Sequence, residues 1–182
     1  MNDAADASQI ETARVGAAIF DLDRSGLLEI SGTDRRTFLH NFCTNDINQL
    51  EPGDGCEAFL VNVKGRVIGH AFVFAGDQVL TLHLPAAPAA PLVEHLERYL
   101  ITEDVELADR GGERAVLYVS GPESTARLAA AGLDPGDLDV MSGRPVSTGS
   151  CEATLRRVDW LGSPGTIVDL PLEAGQEAWT AL

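Results

Sequence analysis

The chain has 182 residues, of which 45% are hydrophobic and 23% charged, a composition ordinary for one globular domain or two small, closely packed ones. Its 28 acidic and 13 basic side chains give a net charge of -15, and a field of that sign repels phosphate backbones and anionic lipid surfaces. We therefore expect no nucleic acid and no membrane as a partner. No apolar run approaches the roughly 20 residues of a membrane span. The acid-bearing N-terminus is unlike a signal peptide, so we expect a cytoplasmic protein.

The three cysteines, Cys43, Cys56 and Cys151, are scattered along the chain. No Cys-x-x-Cys pair or Cys/His cluster has the spacing of metal ligands, so we expect no metal site. Small, reduced residues in a reducing compartment are the better interpretation of all three.

The first half of the chain predicts a polar tail at residues 1–12, followed by a folded region at 13–182. A strand at 27–31 ends at Gly32, and Thr33 or Asp34 can cap a helix that runs to about Phe42. Two runs of β-forming residues flank Lys64-Gly65-Arg66 and predict a hairpin, and a third strand after it makes an antiparallel meander. In chain order the meander strands are 56–63, 67–74 and 79–84, and a helix from the Pro-rich segment at 85–91 to about Leu100 follows.

The second half predicts strands near 105–107 and 115–119, a helix that stops at Gly132, a loop from Asp134 to Gly149, and strands at 152–159 and 166–170. A terminal helix from Leu172 to Leu182 is expected to turn Leu172, Trp179 and Leu182 inward. One pattern occurs twice, since both Ser31-Gly32 and Ser120-Gly121 end a strand and precede a helix start. Internal duplication and convergence on good strand-to-helix chemistry both explain it.

Several stretches, in order, resemble the glycine-cleavage T-protein (aminomethyltransferase) family. They begin with the strand Asp23 to Gly32 and continue with Cys43-Thr44-Asn45-Asp46-Ile47, the hairpin Asn62 to Ile68, Ser120-Gly121-Pro122, and Asp159 to Gly165. The family comprises T-proteins, related demethylases and folate-binding proteins that support iron–sulfur enzymes. The resemblance implies an α+β fold, with an antiparallel meander and strand–helix units in two interlocked regions. Relatives are about twice this long, so the resemblance covers their first part and leaves out their C-terminal β-domain.

The resemblance also shows which family residues this sequence replaces. T-proteins carry acid on the hairpin strand, beside the reacting folate nitrogen, where a carboxylate moves a proton and stabilises a cation. Gly69 and His70 stand there instead, and His70 is the one catalytic candidate, either as a retuned base or as an ordinary strand residue. The acidic loop that binds the pterin edge is replaced by Gly162 to Ile167, where no carboxylate remains.

Five residues remain as candidates for contacts with tetrahydrofolate or a derivative. Asn45 and Asn62 can hydrogen-bond a pterin, although a turn asparagine more often serves the turn itself. Lys64 and Arg66 can attract the glutamate carboxylates of folate, or be solvated residues of a hairpin tip. Trp160 can stack on a flat ring, or lie at the edge of the core.

Two main interpretations of function follow. The first is a folate-binding protein of this family without transfer activity. The second is a non-catalytic or regulatory subunit, because sarcosine oxidases contain a short subunit similar to T-protein. An active tetrahydrofolate-dependent aminomethyltransferase is the interpretation that the residues favour least. We also expect a homodimer or a complex with a larger enzyme, formed through the face that meets the C-terminal domain in full-length relatives.

Overall fold

The computed structural model describes residues 14–22, 24–85, 87–148, 151–160, 162 and 164–182. The predicted tail at residues 1–12 lies outside the described residues. The fold is α+β, and the chain divides into two compact units. The central unit is Arg24–Glu113, and the terminal unit joins the segment before residue 24 to Arg114–Leu182.

The described residues form strands and helices with the following bounds, in chain order: β1 (Ala18–Asp21), β2 (Gly26–Ser31), α1 (Arg35–His40), β3 (Gly55–Val61), β4 (Val67–Ala75), β5 (Val79–Leu84), α2 (Ala90–Glu97), β6 (Glu106–Asp109), β7 (Arg114–Ser120), α3 (Ser124–Ala130), β8 (Ser142–Ser147), β9 (Glu152–Asp159), β10 (Pro164–Pro171), a 3₁₀ turn (Leu172–Ala174) and α4 (Gly175–Ala181). Among these helices, none has both the length and the apolar character needed to cross a membrane.

The central unit is built on a five-stranded sheet in the order β3-β4-β5-β2-β6. Every neighbouring pair is antiparallel, and the predicted meander forms one half of the sheet. One face carries the apolar core, in which Ala58, Leu60 and Val73 pack with Leu39 of α1 and Leu96 of α2. Because side chains alternate along a strand, the residues between these core positions belong to the opposite face.

The terminal unit is built on a second antiparallel sheet, in the order β1-β7-β10-β9-β8. Its core contains Leu117, Leu155 and Val168 with Leu128 of α3. The buried Asp169 alternates with these residues along β10 and accepts hydrogen bonds from Arg114 Nε at 2.7 Å and Arg156 Nη1 at 3.0 Å. Two guanidinium groups thus balance a carboxylate that would be costly to bury alone.

The two sheets repeat one topology. In each, a strand leads through Ser-Gly into a short helix, a three-stranded meander follows, and the last meander strand pairs with the first strand. A fifth strand pairs with the free side of that first strand: in the central unit it is β6, which follows the meander, and in the terminal unit it is β1, which precedes the first strand. This repetition extends the Ser-Gly pattern of the sequence from two turns to the first strand, helix and meander of each unit.

The loop predicted from Asp134 to Gly149 is wrong in its second half, where Ser142–Ser147 form β8. Gly143 and Pro145 are poor strand residues, so the sequence of this segment gives no clear strand pattern. Because β8 is an edge strand that pairs only with β9, proline is tolerated there, and Pro145 lies opposite Thr154.

The terminal helix also departs from its prediction. The chain first makes the 3₁₀ turn and begins α4 at Gly175, and this change in helical twist shifts which residues face inward. Leu172 and Trp179 are 54% and 42% exposed, contrary to expectation. Ala174, Ala178 and Leu182 pack against the core instead, so the prediction is correct for Leu182 alone.

The junction between β2 and α1 is held by the segment that precedes β6. Gly32 has a φ of +96°, and an added Cβ would collide with the backbone of Asp104. The Asp104 carboxylate accepts hydrogen bonds from Thr33 N at 3.0 Å and Thr33 Oγ1 at 2.8 Å, and these bonds lower the pKa of Asp104. In return, Asp104 N donates to the Asp34 carboxylate at 2.8 Å.

We expect Gly32→Ala to lower the free energy of unfolding by at least about 2 kcal/mol, because it adds a strained φ and a backbone collision together. Gly112→Ala is the matched control, since Gly112 has a φ of +81° with open space where a Cβ would lie. That control should cost only about 1–2 kcal/mol. Urea denaturation of both variants measures the difference, and equal losses would show that the Asp104 contact contributes nothing.

Candidate functional site

Asn62 organises the tip of the hairpin between β3 and β4. Its Oδ1 accepts hydrogen bonds from the backbone N–H of Lys64 at 2.9 Å and of Arg66 at 3.1 Å. Its own backbone N–H donates to the Arg66 carbonyl at 3.0 Å, and Gly65, with a φ of +71°, completes the turn. The side chain therefore has a structural task, and its Nδ2 group is the part that can still serve a ligand.

Lys64 and Arg66 give this tip a local positive charge. Both side chains are exposed, and neither forms an ion pair with any of the described residues. The neighbouring Val63 and Val67 are also exposed. The tip thus combines two uncompensated cations with apolar surface, in a chain whose net charge is -15.

His70 lies on β4, beside the tip, and is paired with a carboxylate. Its Nε2 lies 2.7 Å from Oε1 of Glu57, a residue of β3 on the same face. The ring contacts Phe59 with a centroid distance of 5.4 Å and meets Phe72 edge-on at 5.2 Å. This arrangement gives an oriented imidazole with a negative charge beside it.

Glu57 is a site residue that the sequence did not reveal. It precedes His70 by 13 positions, and no local motif connects the two. Only the pairing of β3 with β4 brings them together, and a register shift between Leu60 and Val61 complicates that pairing. The one available signal was the alternation of β3, which sets Glu57 and Phe59 opposite the core residues.

Gly69 lines a groove on the other face of β4, the face that carries the core and α2. A Cβ added at Gly69 would approach nothing closer than the Leu60 Cβ, at 3.7 Å, so the space beside the strand is open. The groove has a volume of about 350 Å³ and runs between β4 and α2. Its lining includes Ile68, Leu84, Leu92, His95 and Arg98.

Asn45 belongs to a segment that covers the free edge of β3. Its Nδ2 donates to the Glu57 carbonyl at 3.0 Å, and its Oδ1 accepts from Asp46 N at 2.8 Å. Thr44 Oγ1 accepts from Phe59 N at 3.0 Å in the same way. The amide of Asn45 is thus largely used in holding the strand that carries Glu57.

Trp160 is placed in the terminal unit, whereas the other five predicted site residues share the central unit. Its ring meets Tyr118 edge-on with a centroid distance of 5.2 Å, and the side chain is half-buried. Burial raises the pKa of the Tyr118 phenol.

In the nearby loop, Ser163 lies outside the described residues, and Thr166 is fully buried with no hydrogen-bond partner found for its hydroxyl.

Two of the three thiols, those of Cys43 and Cys56, are poorly suited to nucleophilic chemistry. Burial raises the pKa of Cys43 and raises that of Cys56 to about 11, so both stay protonated near neutral pH and are poor nucleophiles. Within the described part of the chain, no group of three or more His, Cys, Asp or Glu side chains is arranged to hold a metal ion.

Comparison with known proteins identifies relatives of the whole chain. A family described as the GCVT N-terminal domain matches residues 2–182. The aminomethyltransferase of Thermosynechococcus vestitus is 24% identical over 173 residues, which are 94% of this chain and 47% of the relative. The chain therefore spans about half the length of the curated relatives that it matches.

Solved structures share the fold. The glycine cleavage system aminomethyltransferase T from Bartonella henselae matches with a TM-score of 0.85 and 21% identity, over 96% of this chain and 47% of that one. A chain of the heterotetrameric sarcosine oxidase from Corynebacterium sp. U-96 matches with a TM-score of 0.59 and 21% identity, over 96% of this chain and 87% of that one.

Proposed function

The chain belongs to the GCVT N-terminal domain family, and we propose that within this family it binds a reduced folate at the β3–β4 hairpin without catalysing one-carbon transfer. The family match and the T-protein-like fold support a folate ligand. The cations Lys64 and Arg66 and the Nδ2 group of Asn62 offer contacts for that ligand at one end of the hairpin.

The proposed lack of transfer depends on one observation at the hairpin strand. Where the family resemblance implies acid, this chain has Gly69, which has no side chain, and His70, whose imidazole is hydrogen-bonded to Glu57. A neutral imidazole accepts a proton but supplies no negative charge to a developing cation. The carboxylate of Glu57 is held by the hydrogen bond to His70, so it is not free to take over that task unchanged.

We expect the purified protein to show no aminomethyl or methyl transfer to tetrahydrofolate above the uncatalysed rate. Each lost charge-assisted contact costs on the order of 1.5–3 kcal/mol, and both the strand acid and the loop acids of the family are missing. The measurement is formation of methylene- or methyltetrahydrofolate with a protein-bound or free amine donor. Turnover that His70→Ala abolishes would contradict the proposal.

Folate binding itself should be weak and sensitive to salt. Lys64 and Arg66 are the cations placed at the hairpin tip, and surface charges of this kind are screened within about 8–10 Å at moderate ionic strength. We expect Lys64→Glu to weaken tetrahydrofolate binding roughly fivefold at low salt, and less at high salt. Calorimetry at two salt concentrations measures both effects.

Arg127→Glu on α3, the same charge change in the terminal unit, is the matched control and should have little effect. Tight binding indifferent to salt and to Lys64→Glu would place the ligand elsewhere.

A second candidate function is that of a non-catalytic subunit in a larger enzyme. It is favoured by the fold match to a sarcosine oxidase chain of similar size, 87% of which is covered. The hairpin also exposes Phe59, Val63, Val67 and Ile68, a clustered apolar surface of the kind that marks interfaces.

If the chain is such a subunit, or a homodimer, assembly should depend on this apolar surface. Light scattering over a concentration series should show association that Val63→Glu weakens, because a charge would then have to be desolvated in the interface. Leu172→Glu, at an apolar position in the terminal unit that is also exposed, is the control. A strictly monomeric protein that captures no partner from its native cell would rule out both forms of assembly.

A further inference from the structure

We infer that Glu57 holds the imidazole of His70 with its Nδ1 atom as a hydrogen-bond acceptor, and that this pair and the Phe59 ring form a binding site for the N–H edge of a planar heterocycle. The position of the site follows from the structure alone. The identity of the heterocycle, a reduced pterin ring, rests on the proposed folate-binding function.

The alternation of the two strands places these residues on one face. Ala58 and Leu60 of β3 enter the core, so Glu57 and Phe59 lie on the opposite face. In the antiparallel register Phe59 is directly opposite His70. The Glu57 carboxylate reaches diagonally to the imidazole, with 2.7 Å between Oε1 and Nε2.

The chemistry of this hydrogen bond fixes the tautomer. An ionised carboxylate can only accept, so Nε2 must carry the proton that is shared with Glu57. In a neutral imidazole the other nitrogen, Nδ1, then has a free lone pair. No hydrogen-bond partner for Nδ1 is found among the described residues, and the side chain is 23% exposed. While the ring is neutral, an acceptor is therefore presented at the surface of the hairpin.

The pair is held rigidly enough to act as a preformed site. The His70 ring is confined between Phe59 and Phe72, whose centroids lie 5.4 Å and 5.2 Å away. The strand beneath Glu57 is fixed in turn by the hydrogen bond from Asn45 Nδ2 to its carbonyl. Residues whose own positions are locked by packing and hydrogen bonds bind with a smaller loss of entropy.

The ligand must donate hydrogen bonds and be flat. The surface offers two kinds of acceptor, His70 Nδ1 and the half-exposed Glu57 carboxylate, and these would repel an anionic group. The Phe59 ring is 47% exposed and provides a face for stacking. Of the two ends of a reduced folate, the N–H-bearing ring matches this pair, whereas the carboxylate tail matches Lys64 and Arg66.

The test combines nitrogen NMR with a ligand that has no tail. In the protein labelled with ¹⁵N-histidine, we expect His70 to show the Nε2–H tautomer, and Glu57→Gln to shift its signals toward a mixture, because an amide can either donate or accept. Tetrahydropterin, which lacks the glutamate tail, should shift the Nδ1 signal. Its affinity should fall roughly tenfold or more in Glu57→Gln. Asp46→Asn removes the other imidazole–carboxylate pair of the central unit, His40 and Asp46 at 3.3 Å, and should leave tetrahydropterin binding unchanged.

The outcomes separate the inference from the proposed function. A proton on Nδ1 in the wild-type protein at neutral pH, whether in the Nδ1–H tautomer or in an imidazolium, would overturn the inference whether or not folate binds, and needs no variant to fold. Tetrahydrofolate binding that neither moves the His70 signals nor responds to Glu57→Gln would overturn it and leave the proposed function standing. If neither tetrahydrofolate nor tetrahydropterin binds, the proposed function and the assigned ligand both fail, while the tautomer still decides the role of Glu57.

Discussion

The two-residue repeat of the β3–β4 hairpin is the constraint on which the candidate site depends. Cys56, Ala58 and Leu60 lie in the core of the central unit. The residues between them must therefore lie on the opposite face of the strand. Slipping the register by one residue would expose the core residues and bury a carboxylate. The free energy of core burial therefore also fixes the positions of Glu57 and His70. A site built in this way needs no stabilising interaction of its own, and it gains its geometry from the apolar residues behind it.

A local feature of the chain, a Ser-Gly turn, also recurs in the architecture of both units. In each unit a strand that ends in Ser-Gly precedes the helix and the meander, and in both cases the glycine takes a positive φ, +96° at Gly32 and +109° at Gly121. A glycine in this conformation turns the chain sharply from the strand into a helix that packs back on the sheet. The last strand of the meander that follows pairs with the first strand and completes the sheet in each unit. The repeated topology gives both units a core, but only the central unit carries the charged hairpin tip.

The sequence predicts more of the fold than of the site, for a physical reason. Strands such as Val79–Leu84 and Glu152–Asp159 agree with their predictions because alternation and turn residues are local signals. β8 was missed because an edge strand can contain Gly and Pro, and the inward face of α4 was missed because a 3₁₀ turn changed its phase. Glu57 was missed because its relation to His70 exists only through strand register. Asn45, for which the sequence left both a pterin contact and a turn role open, donates its Nδ2 to the backbone carbonyl of Glu57.

The replacement of acid by His70 is therefore more than the loss of a charge. A carboxylate is still present on this face, but it belongs to Glu57 of β3. Because Glu57 is hydrogen-bonded to His70, part of its effect on a ligand would be exerted through the imidazole ring. In the site that we infer, a ligand N–H meets the lone pair of Nδ1 and not an anion, and the attraction of that lone pair is weaker and more directional. Such an acceptor can hold a planar donor in place without stabilising a cation that forms during transfer. Binding and transfer make different demands on the same position, and under the proposed function the Glu57–His70 pair meets the first without the second.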